Sequence, residues 1–189
     1  MRTSTPTVPA AYDRPMRRRW MSITPAVLAM MAVAGCGPEV AGAGGVVLDD
    51  AGRLVAVLAW CESFGAPATL VLYPARSDGS VGDPLLRLTR TGAAPDANYA
   101  EVPLAEPGPT WQSDRALPAL EDGQSYEVRV WDGTGERRVT SFPFTIAELR
   151  TVDPARPILT KRYAGGGRYE SSFAGAQEFR QAAAADCGG

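Results

Sequence analysis

The chain has 189 residues with 19 basic and 21 acidic side chains, and it contains no histidine. Without histidine the sequence excludes zinc sites and Ser-His-Asp hydrolysis, because the commonest metal ligand and general base is missing. After position 35 the chain carries 14 basic and 20 acidic residues, a net charge of −6 that argues against nucleic acid as a partner. We predict no metal, no cofactor and no catalytic residues.

The N-terminal 35 residues have the parts of an export signal. Arg17, Arg18 and Arg19 form a basic region, and an apolar run from Ile23 to Ala34 follows it. That run of 12 residues fits the roughly 7–15 residues of a signal core and is shorter than the roughly 18 residues of a membrane-spanning helix. Because basic residues stay on the cytoplasmic side, the end of the run faces outward.

The segment Val33-Ala34-Gly35-Cys36 ends this run. It resembles the lipobox of bacterial lipoproteins, in which an aliphatic residue, a small residue and Gly or Ala precede a cysteine. The resemblance implies a diacylglyceryl group on the Cys36 sulfur, cleavage before Cys36, and a mature protein held on the extracytoplasmic face of the cell membrane. Two acyl chains on one residue give stable anchoring, since each buried CH₂ contributes about 0.8 kcal/mol.

The start of the leader and the export route stay open. A start at Met16 gives a compact leader, whereas residues 1–15 form an unusually long polar preface. The arginines partly match a twin-arginine signal, but the general export route fits them better. Arg outnumbers Lys by 18 to 1, with Lys161 the single lysine, and this composition is similar to that of actinobacterial proteins.

Two cysteines, Cys61 and Cys187, remain for the exported part of the chain. An even pair in an oxidising compartment favours a disulfide. The bond would close a loop of more than 100 residues, for which the chain-entropy model gives about 4–5 kcal/mol. The alternative is a buried free Cys61 and a loose Cys187 near the terminus.

Short apolar runs separated by turn residues predict the folded domain over residues 45–149, after a flexible, glycine-rich tether over residues 36–44. The run Leu54–Trp60 is apolar on both faces, which predicts a central strand covered on both sides. Seven short strands at this spacing predict an all-β, immunoglobulin-like antiparallel β-sandwich. The other six predicted strands are Val46–Leu48, Ala68–Tyr73, Leu85–Arg90, Tyr99–Leu104, Ser125–Trp131 and Val139–Ile146.

The segment from Leu117 to Val130 carries a second resemblance. It places a turn directly before an alternating strand that opens with Tyr126. This pattern is similar to the corner of fibronectin type III modules. The resemblance implies that Tyr126 buries its ring and forms a hydrogen bond backwards to the main chain.

Residues 150–189 predict a C-terminal extension that packs on the sandwich. Within it, Ile158–Tyr163 predicts one more strand, Gly165-Gly166-Gly167 predicts a flexible break, and Phe173–Ala185 predicts a short alanine-rich helix. A helix this short is marginal by itself, so the predicted disulfide would hold it in place.

Arg162, Tyr163, Arg168 and Tyr169 lie on either side of these glycines. Since Arg and Tyr are enriched at protein interfaces, they are candidate interaction residues. The alternative is an exposed tail whose tyrosines pack on the sandwich. Trp111, in the connection between residues 105 and 115, either closes an open edge of the core or faces a ligand.

The remaining polar motifs do not predict a catalytic or metal site. The loop Asp78–Asp83 lacks the ordered acidic positions of a calcium site, and Lys161 lacks the Ser-x-x-Lys spacing of a serine–lysine dyad. We therefore predict a non-enzymatic, lipid-anchored binding or structural module whose partner is an envelope protein or glycan. The alternatives are an envelope hydrolase with a carboxylate pair and a small accessory component of a transport system.

Overall fold

The computed structural model describes residues 41–95, 97–152, 154–155, 157–165 and 168–187, so Cys36 and the predicted leader lie outside the described residues. The described strands belong to one compact unit, Pro38–Gly189. They are β1 (Gly42–Leu48), β2 (Leu54–Trp60), β3 (Thr69–Ala75), β4 (Leu86–Arg90), β5 (Tyr99–Pro103), β6 (Trp111–Ser113), β7 (Ser125–Trp131), β8 (Arg138–Thr145), β9 (Ile158–Gly165) and β10 (Arg168–Ala174). Helix α1 is Ile146–Arg150, helix α2 is Ala176–Asp186, and Glu62–Phe64 forms a 3₁₀ turn.

The strands form two antiparallel sheets of five strands each. Sheet A has the order β10-β9-β1-β2-β5, and sheet B has the order β6-β4-β3-β7-β8. Strands β1, β2 and β5 facing β4, β3, β7 and β8 give the strand arrangement of an immunoglobulin-type sandwich. The predicted all-β, immunoglobulin-like sandwich with a short C-terminal helix is confirmed.

Strand β2 is buried on both faces, as its sequence predicts. Alternate residues from Leu54 to Trp60 belong to the core between the sheets. On the outer side, Val57 and Ala59 pack with Phe179 of α2 in a second, smaller core. Neither helix of the described residues is long and apolar enough to cross a membrane.

The predicted tether is wrong at its C-terminal end, because β1 begins at Gly42. A Cβ atom on Gly44 would lie 2.4 Å from Thr140 Cγ2 and 2.7 Å from Phe142 Cε1 in sheet B. A Cβ atom on Gly42 would lie 2.2 Å from the main-chain oxygen of Ala59. These glycines are therefore needed for the close approach of β1 to β8 and β2, and not for flexibility.

The predicted boundary of the sandwich at residue 149 is also wrong, because sheet A continues into the C-terminal extension. Strand β9 pairs with β1 through Leu159 and Val46, and β10 pairs along β9. The prediction of a flexible break is wrong for Gly165. This residue ends β9 with a φ of 88° and pairs with Arg168. Gly166 and Gly167 lie outside the described residues.

Helix α2 begins three residues later than predicted. Phe173 belongs to β10, where it packs against the main core, and the helix starts only at Ala176. Phe173 and Ala174 therefore pair with β9 as the end of β10, instead of forming the first turn of the predicted helix.

Strand β8 ends at Thr145, one residue before the end of the predicted strand Val139–Ile146, because Thr145 caps helix α1. Thr145 Oγ1 accepts a hydrogen bond from the Glu148 N–H at 3.1 Å, and Glu148 Oε2 accepts one from the Thr145 N–H at 2.8 Å. This reciprocal pair is a capping box, which satisfies two main-chain donors at the helix start.

Tyr126 forms the corner that the fibronectin-like pattern predicts. Its ring is buried, with 3% of the residue exposed, and its Oη accepts a hydrogen bond from the Glu121 N–H at 2.6 Å. The bond ties the connection before β7 to the core, so this prediction is confirmed.

Candidate functional site

The antiparallel registers sort the loops into two ends of the sandwich. The entry end, where the described chain begins, contains Ala41, the C-terminal end of β2, the β7–β8 turn at 132–137, and the tip of the β9–β10 hairpin. A Cβ atom built on Gly42 lies 3.0 Å from Val139, which places the start of β8 beside the start of β1. The opposite, far end contains the β1–β2 turn and the start of β7.

A disulfide between Cys61 and Cys187 lies at the entry end, with 5.4 Å between the two Cα atoms. The Cys61 N–H also donates to the Ala41 carbonyl oxygen at 2.9 Å. The bond therefore joins the last residues of α2 to the start of the sandwich. The predicted disulfide is confirmed, and the alternative of two free thiols is wrong.

The structure brings the four hairpin candidates together on β9 and β10. Tyr163 pairs with Tyr169, and Arg162 pairs with Glu170 across the hairpin. Arg162 is 76% exposed at its side chain and its Nη2 lies 3.2 Å from Asp186 Oδ1 at the end of α2. Tyr169 is 39% exposed, and it is the exposed large hydrophobic side chain of the described residues.

Trp111 is not part of this surface. It lies on β6, at the edge of sheet B opposite β8, and pairs with Arg90 of β4. Only 9% of Trp111 is exposed and it belongs to the main core, so it closes an open edge of the sandwich. The interpretation that Trp111 faces a ligand is wrong, because the short strand β6 turns its ring inward.

A polar network on the outer face of sheet B was missed by the sequence analysis. Glu127 is 8% exposed, and it accepts hydrogen bonds from Ser141 Oγ at 2.6 Å and from Arg129 Nε at 2.7 Å. The Arg129 guanidinium carbon lies 5.2 Å from the centroid of the Tyr73 ring. The hydrogen bond with Glu127 raises the pKa of Arg129. The sequence signal for this network was the pair of opposite charges, Glu127 and Arg129, two positions apart on the strand that begins beside Tyr126.

A shallow groove of about 340 Å³ lies at the entry end between α2 and the β2–β5 pair. Trp60, Tyr99, Arg180 and the disulfide line it. The Arg180 guanidinium carbon lies 5.0 Å from the Tyr99 ring centroid, and Tyr99 Oη donates to Glu101 Oε1 at 2.6 Å. Burial and the Glu101 carboxylate raise the pKa of Tyr99, so its hydroxyl stays protonated.

A second groove of about 480 Å³ lies on the outer face of sheet A toward the far end. Val47, Val55 and Val57 are among the apolar residues that line it, while Asp49 and Glu101 supply carboxylates. Arg53 Nε binds Asp49 Oδ2 at 2.8 Å, so this carboxylate already has a partner. The groove offers an apolar surface with acidic groups at its margin.

No family model, curated protein or solved structure matches this chain. Its function has to be inferred from its own residues and geometry.

Five carboxyl groups of the described residues have a pKa below the ordinary value of their side chain. For Asp49 the main cause is the hydrogen bond from the Arg53 N–H. For Asp132 burial opposes ionisation, but hydrogen bonds from Thr134 outweigh it. The other three are Asp78, Asp114 and Glu148. The described residues also contain no cluster of three or more side chains suited to a metal ion.

Proposed function

We propose that this chain is a lipid-anchored, extracytoplasmic β-sandwich protein of the cell envelope that binds a partner without catalysing a reaction. The observation that carries the proposal is the lipobox-like segment ending at Cys36, after a basic region and an apolar run. The first strand of the sandwich begins at Gly42, six residues later, as expected for a folded domain held close to its anchor.

The disulfide supports export of the domain. Bonds such as Cys61–Cys187 form and persist in oxidising compartments and are rare in the cytosol. The bond closes a loop with a sequence separation of 126 residues, and a long closed loop restricts the unfolded chain and so stabilises the folded domain.

The state of the carboxyl groups favours binding over hydrolysis. A hydrolase with a carboxylate pair needs one carboxyl group whose pKa is raised, so that it can donate a proton. In contrast, Asp49, Asp114 and Glu148 have lowered pKa values and each is held by an arginine or lysine. These groups serve turns, strand pairing and a helix cap.

The β9–β10 hairpin is the surface that best suits a protein or glycan partner. Strand β10 is the edge of sheet A, and the described residues place no strand beyond it. An edge strand offers main-chain groups to a partner, and exposed Arg and Tyr side chains are common where interfaces form. Arg162 and Tyr169 provide such side chains on the two strands of the hairpin.

The anchor is tested by a Cys36→Ala variant expressed with a clickable fatty acid. We expect the wild type to incorporate the label and to show a diacylglyceryl mass on its N-terminal residue, and we expect the variant to lose both. A Cys61→Ala/Cys187→Ala double variant is the matched control and should keep the label. Equal membrane retention and labelling of Cys36→Ala would contradict the anchor.

The binding role is tested by crosslinking the anchored protein in its native cells. We expect one reproducible adduct that an Arg162→Ala/Tyr169→Ala variant loses and that an Arg76→Ala/Arg115→Ala variant, with changes at the far end, retains. Turnover of an envelope polymer by the purified wild-type protein would contradict the proposal of binding without catalysis.

A further inference from the structure

We infer that the entry end of the sandwich rests on the membrane surface, where Arg137, Arg138 and Arg168 contact anionic lipid headgroups. This inference rests on the lipid anchor proposed for Cys36. It adds which face of the domain meets the membrane and which side chains hold it there.

The chain between the proposed anchor and the folded domain is short. Five residue steps separate Cys36 from Ala41, so their Cα atoms lie at most about 18 Å apart. Ala41 is fully buried, and its carbonyl oxygen accepts the hydrogen bond from Cys61. A lipid on Cys36 would therefore hold the entry end next to the membrane.

The three arginines lie at the entry end of the sandwich. Arg137 lies in the β7–β8 turn and Arg138 begins β8, directly before Val139, which adjoins Gly42. Arg168 begins β10 and pairs with Gly165 at the tip of the hairpin. All three lie at the end of the sandwich where β1 begins, and all three are exposed.

Charge is distributed unevenly between the two ends of the sandwich. Among the described residues, the far end and its connections carry ten carboxylates against five basic side chains, while the entry end carries six arginines against five carboxylates. The far-end carboxylates are Asp49, Asp50, Asp78, Asp83, Glu106, Asp114, Glu121, Asp122, Glu148 and Glu178. The entry-end arginines are Arg90, Arg137, Arg138, Arg162, Arg168 and Arg180.

This asymmetry orients the domain on an anionic surface. A strand of seven residues such as β2 is about 23 Å long, which is more than twice the Debye length of about 8–10 Å at physiological salt. Headgroup charges therefore act on the entry end, while the acidic far end is screened from them. An anionic membrane therefore repels the entry end less than the far end.

The three entry-end arginines are available to bind lipid headgroups. Among the described residues, Arg137, Arg138 and Arg168 form no ion pair with a carboxylate. Arg137 contacts the Phe64 ring, whose centroid lies 5.4 Å from the guanidinium carbon, so its charge stays unpaired. The Arg162 guanidinium, in contrast, lies 3.2 Å from the Asp186 carboxylate. Basic side chains near a membrane surface are attracted to anionic lipids, and the anchor keeps them at high local concentration.

The test uses the full-length gene product, purified with its lipid and reconstituted in vesicles of phosphatidylcholine with or without phosphatidylglycerol. A fluorophore is attached at Gly133→Cys in the β7–β8 turn or at Ala51→Cys in the β1–β2 turn, and a quencher is placed on lipid headgroups. Neither site meets a neighbour that would disturb the fold, since a Cβ atom on Gly133 finds no atom within 4 Å and Ala51 is exposed.

We expect the label at residue 133 to be quenched several-fold more than the label at residue 51 in anionic vesicles. High salt, removal of phosphatidylglycerol, or the substitutions Arg137→Gln, Arg138→Gln and Arg168→Gln should reduce that ratio. The far-end substitutions Arg76→Gln, Arg115→Gln and Arg150→Gln remove the same charge and should leave it unchanged.

Two outcomes overturn the inference and are distinguishable. In the first outcome, intact mass shows that the protein carries lipid, but the two labels are quenched equally or the quenching ratio does not change when the three entry-end arginines are replaced. That outcome would overturn the orientation and leave the anchor standing. A native protein without added lipid mass would overturn the proposed function and this inference together.

Discussion

Gly44 lies where β1 of sheet A closely approaches β8 of sheet B. Its absent side chain leaves room for Thr140 and Phe142, whose atoms a Cβ would approach to 2.4 Å and 2.7 Å. We expect Gly44→Ala to lower the free energy of unfolding by about 1–3 kcal/mol, because it overpacks the core. Urea unfolding followed by tryptophan fluorescence measures the change.

The matched control for Gly44→Ala is Gly123→Ala, where a Cβ would meet no atom within 4 Å and the φ is not positive. We expect that change to stay within about 0.5 kcal/mol of the wild type. Equal stability of the two variants would mean that β1 does not need its glycines.

Tyr126 fixes the crossing between the sheets through one hydroxyl group. Its Oη accepts a hydrogen bond from the Glu121 N–H at 2.6 Å. We expect Tyr126→Phe to cost about 0.5–1.5 kcal/mol in the free energy of unfolding, because the Glu121 N–H loses its partner. Tyr73→Phe on the outer face of sheet B is the control, and a loss there equal to that of Tyr126→Phe would contradict the corner.

At the scale of elements, helix α1 is coupled to β9 by one ion pair. Lys161 Nζ lies 2.7 Å from Glu148 Oε1, and the Lys161 side chain is largely buried. Burial disfavours the Glu148 carboxylate, but Lys161 and the Thr145 N–H outweigh it and lower its pKa below the ordinary 4.5. A lowered pKa stabilises the folded state above pH 4.5, and this contribution is lost as the pH falls through the folded-state value.

We expect Lys161→Met to cost about 1–2 kcal/mol near pH 7, because it leaves Glu148 without its cation. The difference from the wild type should be smaller at an acidic pH, at which the Glu148 carboxylate of the wild type takes up its proton, than near pH 7. Urea unfolding at both pH values measures it. Arg53→Met removes an exposed ion pair with Asp49 and should cost clearly less than Lys161→Met, because solvent screens that pair. A Lys161→Met loss that is the same at both pH values would contradict the pair.

Helix α2 depends on the disulfide at its C-terminal end. The helix has 11 residues, which is marginal for an isolated helix, and Phe179 and Ala183 provide its buried face. We expect reduction of Cys61–Cys187 to lower the free energy of unfolding by about 2–5 kcal/mol. Urea unfolding with and without reductant measures this, and a Cys61→Ala/Cys187→Ala variant should not respond to reductant. An unchanged midpoint on reduction of the wild type would contradict the role of the bond.

The elements that could be predicted from the sequence are those whose apolar pattern is set by the main core. Strands β2 and β7 have the predicted bounds, because every inward position on them is apolar. Strand β10 was missed because most of its side chains are exposed and its pairing depends on the main chain of β9. Strand β6 was missed because it has three residues.

The candidate site could be predicted only in part for the same reason. Arg162 and Tyr169 are marked by their position beside the glycines, and the structure places them on facing strands. Trp111 is likewise a large aromatic residue in a predicted connection. Only the pairing of β6 with β4 shows that its ring closes the core. The grouping of Arg137 and Arg168 at one end depends on strand direction across both sheets, which no local pattern contains.

At the scale of the whole molecule, the C-terminal extension completes the fold. Without it, β1 would become an edge of sheet A, and Val57 and Ala59 would lose the cover of α2. We expect a mature chain ending at Arg150 to aggregate or remain unfolded, because a long exposed edge and an apolar outer face promote association. Size-exclusion chromatography and circular dichroism measure this outcome.

A milder change tests the same dependence in a chain that still folds. Phe179 is buried between α2 and the outer face of sheet A, and its ring meets the Tyr99 ring edge-on at 6.4 Å between centroids. We expect Phe179→Ala to cost about 3–5 kcal/mol, as for a buried aromatic side chain in any core, whereas the exposed Gln177→Ala should be neutral. Because the smaller core packs α2 against the outer side of sheet A, a loss of that size would show that sheet A needs cover on both faces. A truncated chain that stays monomeric, together with a Phe179→Ala variant as stable as the wild type, would instead make residues 45–149 the complete domain.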